Sequence, residues 1–507
     1  MAKNLNQSMK SLYLELLLTI LLATAASAGE IVAPLADAVE HQERERIEKL
    51  LQSGADVNAV QVDGMTALHW AVTRDDLELA LKLVEAGADV NAANRYEVRP
   101  LSLACANGNT ELVELLLKSG AGADTALPGG ETVLMTAART GRIGVVRALL
   151  DRKAAVNAQE RKGQTALMWA AAEGHADVVR ALIDAGADFR KPLKSGFRPL
   201  FFAVREGRRD VVQELLKAGA DVNEGMQPER PGGRAPRKGA SPLVMAVENG
   251  HFELAVDLLA AGADPNDQRT GFTPLHMLAW VRKPNRGDGL DGQPPPVGSG
   301  NLTSLPFVRK LVAHGADVNT RLKHGASGRG HLGQTGATPF FMACDTADAP
   351  LMRLLVELGA DPTIPNADHC PPLLAASGLG TLAPSEEAGT EEEMVEAVTY
   401  LLELGADVNA VDDNGETAMH GAAYNNSPQV VELLAARGAK IQVWNRENKY
   451  GWTPLMIAEG QRPGSNFKPS PSTITAIRRA MLAAGVTPPA RRTPRKDDSD
   501  EYRKDKK

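Results

Sequence analysis

A repeat of fixed length runs through this sequence and limits what the chain can fold into. Residues 163–188 form one copy, which opens on Gly-Gln-Thr-Ala-Leu-Met and ends on Ala-Gly-Ala-Asp. The glycine of that ending, or its substitute, recurs at a step of thirty-three residues, at Gly54, Gly87, Gly120, Lys153, Gly186 and Gly219. It returns at wider steps at Gly262, Gly315, Gly359, Gly405 and Gly438, and weakly at Gly485. Such a period is typical of solenoid proteins, and the wider steps indicate inserted loops.

Each copy carries the pattern of two short helices. Thr165 is placed to cap a first helix, which Gly174 ends after about two turns. Val178, Val179, Leu182 and Ile183 then lie on one face of a second helix. Helices this short cannot bury both faces alone, so each pair needs the pairs before and after it to complete a core. The pattern therefore predicts an all-α solenoid of stacked helix pairs.

Two motifs recur in register with this period. Residues 271–276 read Gly-Phe-Thr-Pro-Leu-His and residues 64–69 read Gly-Met-Thr-Ala-Leu-His, and Gly-Ala-Asp-Val-Asn endings recur along nearly the whole chain. In period and motifs the sequence resembles the ankyrin repeat family. The resemblance implies antiparallel helix pairs, β-turn fingers at right angles to them, and a concave surface that binds proteins. It also implies a structural, hydrogen-bonding role for His69, His276 and His420.

The two ends of the chain differ from the repeats. Lys3 and Lys10 precede an apolar run at residues 16–26, and the run ends in Ala-Ser-Ala at residues 26–28. This is the pattern of a cleaved signal peptide, so we expect export to the periplasm or the extracellular space and a mature chain that begins at Gly29. An uncleaved membrane anchor is the alternative. We expect residues 490–507, which are rich in charge, to be a disordered tail.

Residues 29–489 are expected to form the solenoid, with about twelve repeats including the end caps. Five segments rich in Gly, Pro or charge interrupt it, at residues 226–238, 282–304, 323–334, 378–393 and 460–471. Such segments bury too little apolar surface to order themselves, so we expect them to be mobile in the free protein.

Few residues are candidates for chemistry. Cys105 and Cys344 replace a small packed residue of the repeat, which favours a packing role. Cys370 follows His369, but adjacent residues rarely face each other and no third group is available to orient them. Residues 412–415 read Asp-Asp-Asn-Gly, a fragment of a calcium loop whose remaining ligands are missing. No spacing typical of a metal, phosphate or dinucleotide site is present, so we expect no cofactor and no catalytic activity.

Charge narrows the choice of partner. The chain has 56 basic and 63 acidic residues, a net charge of −7, which argues against nucleic acid as the ligand. We expect a monomer that binds another protein. An enzyme built from the inserted loops is one alternative, with candidates His324, His331, Asp288 and Asp291. A secreted effector that acts on host proteins is another.

The candidate binding residues occupy positions that the repeat leaves free to vary, on finger tips and on the first helices. Aromatic residues and arginines at such positions are common anchors of protein interfaces. The candidates are Arg74, Tyr96, Arg139, Phe197, Arg205, Phe272, Trp280, Tyr424, Trp444 and Trp452. Trp70 and Trp169 precede the small residues that pack between repeats, so we expect them in the core.

Overall fold

The computed structural model describes residues 33–230, 238–284, 295–324, 332–381, 384, 388–461 and 469–490. The predicted signal peptide and nearly all of the predicted tail lie outside this part of the chain. The internal gaps fall inside the five predicted insertions, so the central part of each insertion also lies outside the described residues.

The chain divides into two compact units, residues 1–193 and 194–507. The described residues of the first unit form five helix pairs. In chain order the helices are α1 (Pro34–Glu40), α2 (Arg44–Gln52), α3 (Ala67–Thr73), α4 (Leu77–Glu85), α5 (Pro100–Asn107), α6 (Thr110–Lys118), α7 (Val133–Thr140), α8 (Ile143–Asp151), α9 (Ala166–Glu173) and α10 (Ala176–Asp184).

The described residues of the second unit form seven helix pairs and one single-turn helix, α23. The helices are α11 (Pro199–Arg205), α12 (Arg209–Lys217), α13 (Pro242–Glu248), α14 (Phe252–Ala260), α15 (Pro274–Arg282), α16 (Ser304–Ala313), α17 (Pro339–Asp345), α18 (Ala349–Glu357), α19 (Pro372–Ala376), α20 (Glu391–Glu403), α21 (Ala418–Tyr424), α22 (Pro428–Ala436), α23 (Ile441–Trp444), α24 (Pro454–Ala458) and α25 (Pro471–Ala483).

The predicted helix signals are confirmed. Thr165 Oγ1 accepts the backbone N–H of Met168 at 3.4 Å, and Gly174 ends α9 in the left-handed conformation with φ 95°. Thr66, Thr132, Thr273 and Thr338 cap other first helices in the same way. In this geometry a side-chain oxygen satisfies an N–H that has no partner inside the helix.

The core is continuous through the repeats of each unit. In the first unit, α3 packs against α1 and α5 as well as against its own partner α4. Val178, Val179 and Leu182 on α10 are fully buried, as their spacing predicts. Each helix pair therefore completes its core with its neighbours, and the fold is an all-α solenoid of stacked pairs.

The repeat-ending glycines confirm the predicted boundaries. Gly54, Gly87, Gly120 and Gly186 all have positive φ, between 71° and 96°. A Cβ at any of these glycines would meet no atom within 4 Å, so only the backbone conformation favours glycine there. Lys153 occupies the same position in its repeat with φ 60°, a conformation that costs a side-chain residue about 1 kcal/mol.

Wherever it is present, the asparagine of the Gly-Ala-Asp-Val-Asn motif joins its repeat to the next. Asn58 Nδ2 donates to the carbonyl of Gly87 at 3.0 Å, and its Oδ1 accepts the N–H of Asp89 at 2.7 Å. Equivalent pairs of bonds are made by Asn91, Asn157, Asn223, Asn266, Asn319 and Asn409. The sequence shows the periodicity of this residue, and the structure shows its role.

The described ends of the insertion at 282–304 are bonded to the repeats. Arg282, the last residue of α15, donates from Nε and Nη2 to the two carboxylate oxygens of Asp348, at 2.6 and 3.0 Å. Its Nη1 donates to Ser304 Oγ, the first residue of α16, at 2.5 Å. Asp348 is fully buried and also caps α18 by accepting the N–H of Leu351 at 3.2 Å. Both described ends of this insertion are therefore bonded to the repeats.

Candidate protein-binding surface

Backbone bonds join many of the neighbouring finger tips within each unit. In the first unit, Arg95 N–H donates to the carbonyl of Asp63 at 2.8 Å. In the second unit, Lys323 N–H donates to the carbonyl of Gly271 at 3.3 Å. Equivalent bonds run from a backbone N–H on the later finger to a carbonyl on the earlier one, and they join residues 161 and 129, 229 and 194, 367 and 335, 413 and 368, and 449 and 414. Side chains on neighbouring tips are thereby held close together.

Two tryptophans of the first unit lie on the exposed side of the first helices. Trp70 and Trp169 both stand four residues after the cap of their helix and are half-buried, so the expectation that they belong to the core is wrong. Trp70 Nε1 donates to Gln61 Oε1 at 2.6 Å. The guanidinium of Arg139, on the preceding first helix α7, lies 4.9 Å from the ring of Trp169. Arg139 itself is exposed, as predicted, and its Nη2 is 3.5 Å from Glu131 Oε1.

A second cluster surrounds α11. The Phe197 and Phe202 rings are 5.1 Å apart, and the guanidinium of Arg205 lies 5.2 Å from the former and 5.4 Å from the latter. Arg205 is exposed, as predicted, whereas only 8% of Phe197 is exposed, so its predicted exposure is wrong. The ring packs beneath Arg205 because the finger folds back onto the helix. Arginine over aromatic rings forms a preorganised, partly apolar contact surface.

Phe272 and Trp280, both among the candidate anchors, contact each other. Their rings lie edge to face, with centroids 5.4 Å apart, and both residues are half-buried. Phe272 stands on a finger directly before the cap of α15, and Trp280 stands on the last turn of that helix. Two large apolar rings partly exposed side by side are typical of an interface anchor.

Two other predicted anchors are buried. Only 2% of Tyr424 is exposed, and its hydroxyl donates to Glu416 Oε1 at 3.0 Å. Asn448 Nδ2 donates to the same oxygen at 2.8 Å, which makes a buried polar network. Only 3% of Trp444 is exposed, because the chain forms the short helix α23 there and turns the ring inward. The expected exposure of both residues is therefore wrong.

Burial also changes the acid–base behaviour of this network. Desolvation raises the pKa of Glu416 to about 7, and the nearby Asp412 carboxylate adds to the shift. The bonds from Tyr424 and Asn448 oppose it because they favour the charged carboxylate.

The remaining candidates are accessible to different degrees. Tyr96 is the most exposed of the aromatic candidates, at 68%. Arg74 is exposed, and its guanidinium donates to the carbonyl of Glu40. Trp452 is half-buried on the last finger, with its ring centroid 5.2 Å from that of Tyr450.

The histidines of the Thr-x-x-His starts have the structural role that the resemblance implies. The backbone N–H of Thr273 donates to His276 Nδ1 at 3.3 Å, and Nε2 of this histidine lies 3.1 Å from the carbonyl of Ala337 on the next finger. His69 and His420 make the same two kinds of contact. Burial lowers the pKa of all three, to about 4 for His276 and His420. These imidazoles join a helix cap to the following finger.

The structure separates the residues considered for catalysis. Cys370 is buried, and His369 Nδ1 contacts Asp413 Oδ2 at 2.8 Å on the surface instead. Burial raises the pKa of Cys370 and of Cys344 far above its usual value, and that of Cys105 to about 12. A thiol so hard to ionise is a poor nucleophile.

The residues considered for metal binding and for a loop-based enzyme give no constellation in the described structure. Asp412 Oδ1 accepts the N–H groups of Asn414 and Glu416 at 2.9 and 2.8 Å, which closes a turn. Within the described ranges, no three His, Cys, Asp or Glu side chains are grouped so that they could hold a metal ion. His324 is exposed, whereas His331, Asp288 and Asp291 lie outside those ranges. In the same ranges, no helix is both long enough and apolar enough to cross a bilayer.

The fold and the surface define a repeat protein built for contact with other proteins. Family models for ankyrin repeats match residues 35–84, 68–117, 93–160, 153–226, 238–269 and 388–464. These segments cover more than half of the chain, which therefore belongs to the ankyrin repeat family. Ankyrin repeats are protein-interaction modules, so the partners implied are proteins.

Several curated proteins are similar over part of the chain. Human ankyrin repeat and SOCS box protein 6 is 30% identical over 194 residues, which cover 36% of this chain and 43% of that protein. The probable 26S proteasome regulatory subunit p28 of Saccharomyces cerevisiae is 30% identical over 128 residues, covering 25% of this chain and 50% of the subunit. Palmitoyltransferase AKR1 of Lachancea kluyveri is 29% identical over 151 residues, or 30% of this chain. That match covers 18% of the enzyme, so it assigns no catalytic activity here.

The chain thus spans half or less of the length of each of these relatives. Among solved structures, the crystal structure of the human ASB11 ankyrin repeat domain is 24% identical, with a TM-score of 0.38. It covers 46% of this chain and all of that domain.

Proposed function

We propose that this protein is a non-catalytic interaction scaffold that binds a protein partner through its first helices and fingers. The observation that carries the proposal is the Phe272 and Trp280 pair. These rings contact each other at 5.4 Å but remain partly exposed, while Leu275 and Leu278 of the same helix are fully buried in the core. The leucines thus belong to the repeat core, while part of each ring lies at the surface, where we expect the partner to contact it.

The proposal predicts that binding and folding depend on different residues. A library of displayed random peptides, selected on the purified chain, supplies ligands whose affinity fluorescence anisotropy can measure. Trp280→Ala and Phe272→Ala should each weaken binding about 30-fold, equivalent to about 2 kcal/mol. Each should leave the urea midpoint close to that of the parent.

Leu182→Ala and Leu215→Ala are the matched controls, because both leucines are fully buried on second helices. Each should destabilise the fold by about 2–5 kcal/mol and leave the affinity of the folded protein unchanged. If Trp280→Ala and Phe272→Ala bind every selected peptide as tightly as the parent, this surface is not the binding site.

We also propose that the protein acts outside the cytoplasm. The support is the pattern of residues 1–28, two lysines, an apolar run and Ala-Ser-Ala. Amino-terminal sequencing of protein from its native host should give a chain that begins at Gly29. An intact Met1 in the soluble cytoplasmic fraction would refute export, and the location of the processed chain separates a periplasmic scaffold from an effector that leaves the cell.

A further inference from the structure

The finger edge of the second unit has exposed basic side chains on its first four fingers, and on the first, second and fourth these have no ion-pair partner among the described residues. Exposed basic side chains lie at Lys194 on the first finger, at Arg230 and Lys238 on the second, and at Arg321 and Lys323 on the fourth. The third finger carries Arg269. We call the five residues Lys194, Arg230, Lys238, Arg321 and Lys323 the basic edge.

Backbone and side-chain bonds make this edge continuous. Glu229 N–H donates to the carbonyl of Lys194 at 2.9 Å and joins the first two fingers. Arg269 Nη2 donates to the carbonyl of Asn223 at 2.7 Å and joins the third finger to the base of the second. Gln268 Nε2 donates to the carbonyl of Arg321 at 2.7 Å and joins the third finger to the fourth.

The acidic residues of these fingers leave most of the positive charge uncompensated. Among the described residues of the four fingers, the acids are Glu224, Glu229 and Asp267. Glu224 pairs with Arg198, and Asp267 pairs with Arg269 at 2.8 Å, so neither neutralises the basic edge.

The edge residues themselves remain uncompensated. Arg321 donates to the carbonyls of Gly336 and Pro365, at 3.0 and 2.8 Å, which are uncharged acceptors. Lys194, Arg230, Lys238 and Lys323 take part in none of the ion pairs of the described chain. At the finger tips Glu229 is the acid left to oppose these cations, and the exposed Asp221 and Asp264 lie at the bases of the second and third fingers.

The charge changes sign on the next two fingers of the same unit. Their accessible carboxylates are those of Asp368 and Asp413, since Asp412 and Glu416 are buried. A long polyanion that continued past the basic edge would meet these carboxylates, whereas a short anionic segment would not. Packed helices lie about 8–10 Å apart, so four fingers span roughly 30 Å, the length of about nine residues of extended chain.

We propose that the basic edge binds a short, extended, acidic segment of a protein partner. The inference rests on the proposed function and adds the chemistry of the partner to it. The partly exposed ring of Phe272 stands on the third finger, inside the basic edge, so acidic residues interspersed with apolar ones match the surface. Long-range attraction of such a segment accelerates encounter and makes binding sensitive to salt.

The test uses the full chain and the same displayed library of twelve-residue peptides. Enriched peptides should be rich in Asp and Glu and should bind more weakly when NaCl rises from about 50 mM to about 300 mM. The triple variant Lys194→Glu, Lys238→Glu, Lys323→Glu should weaken binding about tenfold or more. Its neutral counterpart, with glutamine at the three positions, should give an intermediate loss.

The matched control reverses the same number of charges on the second-helix side of the unit, with Lys310→Glu, Arg437→Glu and Lys440→Glu, all exposed in the parent. It should keep the affinity within about twofold because these charges lie away from the fingers. Equal losses in the control and edge variants would overturn the inference, since net charge alone would then explain binding.

Three further outcomes separate this inference from the proposed function. Suppose that the enriched peptides are neutral, and that Trp280→Ala abolishes their binding while the edge variant keeps it. This result would refute the role of the basic edge and leave the proposed function standing. A twelve-nucleotide oligothymidylate that binds more tightly than every selected peptide, and loses affinity in the edge variant, would assign the edge to nucleic acid and overturn the inference. Absence of any peptide that depends on Trp280 would instead refute the proposed function.

Discussion

The two units use the same repeat but are stabilised in different ways. In the first unit the repeats have equal length and the bonds that join them recur, as in the asparagine pairs of Asn58, Asn91 and Asn157. In the second unit the insertions interrupt this regularity. The joining asparagine itself is replaced in both units, by Asp124 and Arg190 in the first and by Thr363 in the second.

Unique polar contacts appear in the second unit instead. The buried ion pair of Arg282 and Asp348 and the network around Glu416 have no counterpart in the described part of the first unit. The stability of the first unit is therefore spread over many similar contacts. The stability of the second unit depends in addition on a few specific contacts near the inserted loops.

The largest expected effect is that of breaking the buried ion pair. Arg282→Leu leaves the Asp348 carboxylate in the core without its cation, which should cost about 3–5 kcal/mol of unfolding free energy. Urea denaturation followed by circular dichroism measures this.

Arg309→Leu is the control for that variant. Arg309 pairs with Glu357 at 2.6 and 2.7 Å in the same two-pronged geometry, but both side chains are more than half exposed. Arg309→Leu should lower the urea midpoint far less than Arg282→Leu does, because solvent already screens the exposed pair. If Arg282→Leu and Arg309→Leu lowered the urea midpoint equally, burial of the ion pair between Arg282 and Asp348 would contribute nothing to stability.

A smaller effect should follow from titration of Glu416. Its pKa is about 7 in the folded protein against 4.5 as the ordinary value, so the stabilising contribution of the protonated carboxyl is complete below pH 4.5 and is lost as pH rises through 7. Glu416→Gln keeps an acceptor for Tyr424 and Asn448 but does not ionise. At pH 8 it should be more stable than the parent by up to about 3 kcal/mol.

The advantage of Glu416→Gln should disappear at pH 4.5. Asp413→Asn, at a carboxylate whose side chain is 60% exposed, controls for the loss of one negative charge on the same finger. The raised pKa of Glu416 would be contradicted if the difference in stability between Glu416→Gln and the parent were the same at pH 4.5 and at pH 8.

The smallest effect belongs to the regular unit. Lys153→Gly places glycine at the repeat end where φ is 60°, and relief of the left-handed conformation should stabilise the fold by about 1 kcal/mol. Gly186→Ala, at φ 89° with free space around the missing Cβ, should cost a similar amount. The urea midpoints of the two variants should therefore move in opposite directions. If the urea midpoints of both variants are lower than that of the parent, the left-handed conformation does not affect stability in the same way at residues 153 and 186.

The sequence predicted the parts of the fold that depend on local, repeated signals. Thr165, Gly174 and Leu182 each act within one repeat, so their spacing was sufficient to predict cap, turn and buried face. The pairing of Arg282 with Asp348 was not predictable, because it joins residues across an insertion whose path no periodic pattern reports.

The candidate surface was predicted only in part for a related reason. Position within the repeat identified Phe272, Trp280 and Arg139, but exposure depends on what the neighbouring segment does. Tyr424 is buried because Asn448 and Glu416 close over its hydroxyl. Trp169 stays accessible in part because the residue directly before its helix cap is Gln164, whereas Phe197 covers the equivalent Phe202. Equivalent positions therefore differ in exposure from one repeat to the next, and the position within the repeat alone does not predict it.

The most direct test of the binding surface is hydroxyl-radical footprinting of the full chain with and without a saturating selected peptide, read by mass spectrometry. We predict that the peptide protects Phe272 and Trp280 and leaves Leu81, Leu404 and Leu482 as reactive as in the free protein. Those leucines are 42%, 39% and 61% exposed on or beside second helices, so they report the opposite side of the repeats. Protection of the leucines with unchanged reactivity of Phe272 and Trp280 would contradict the account.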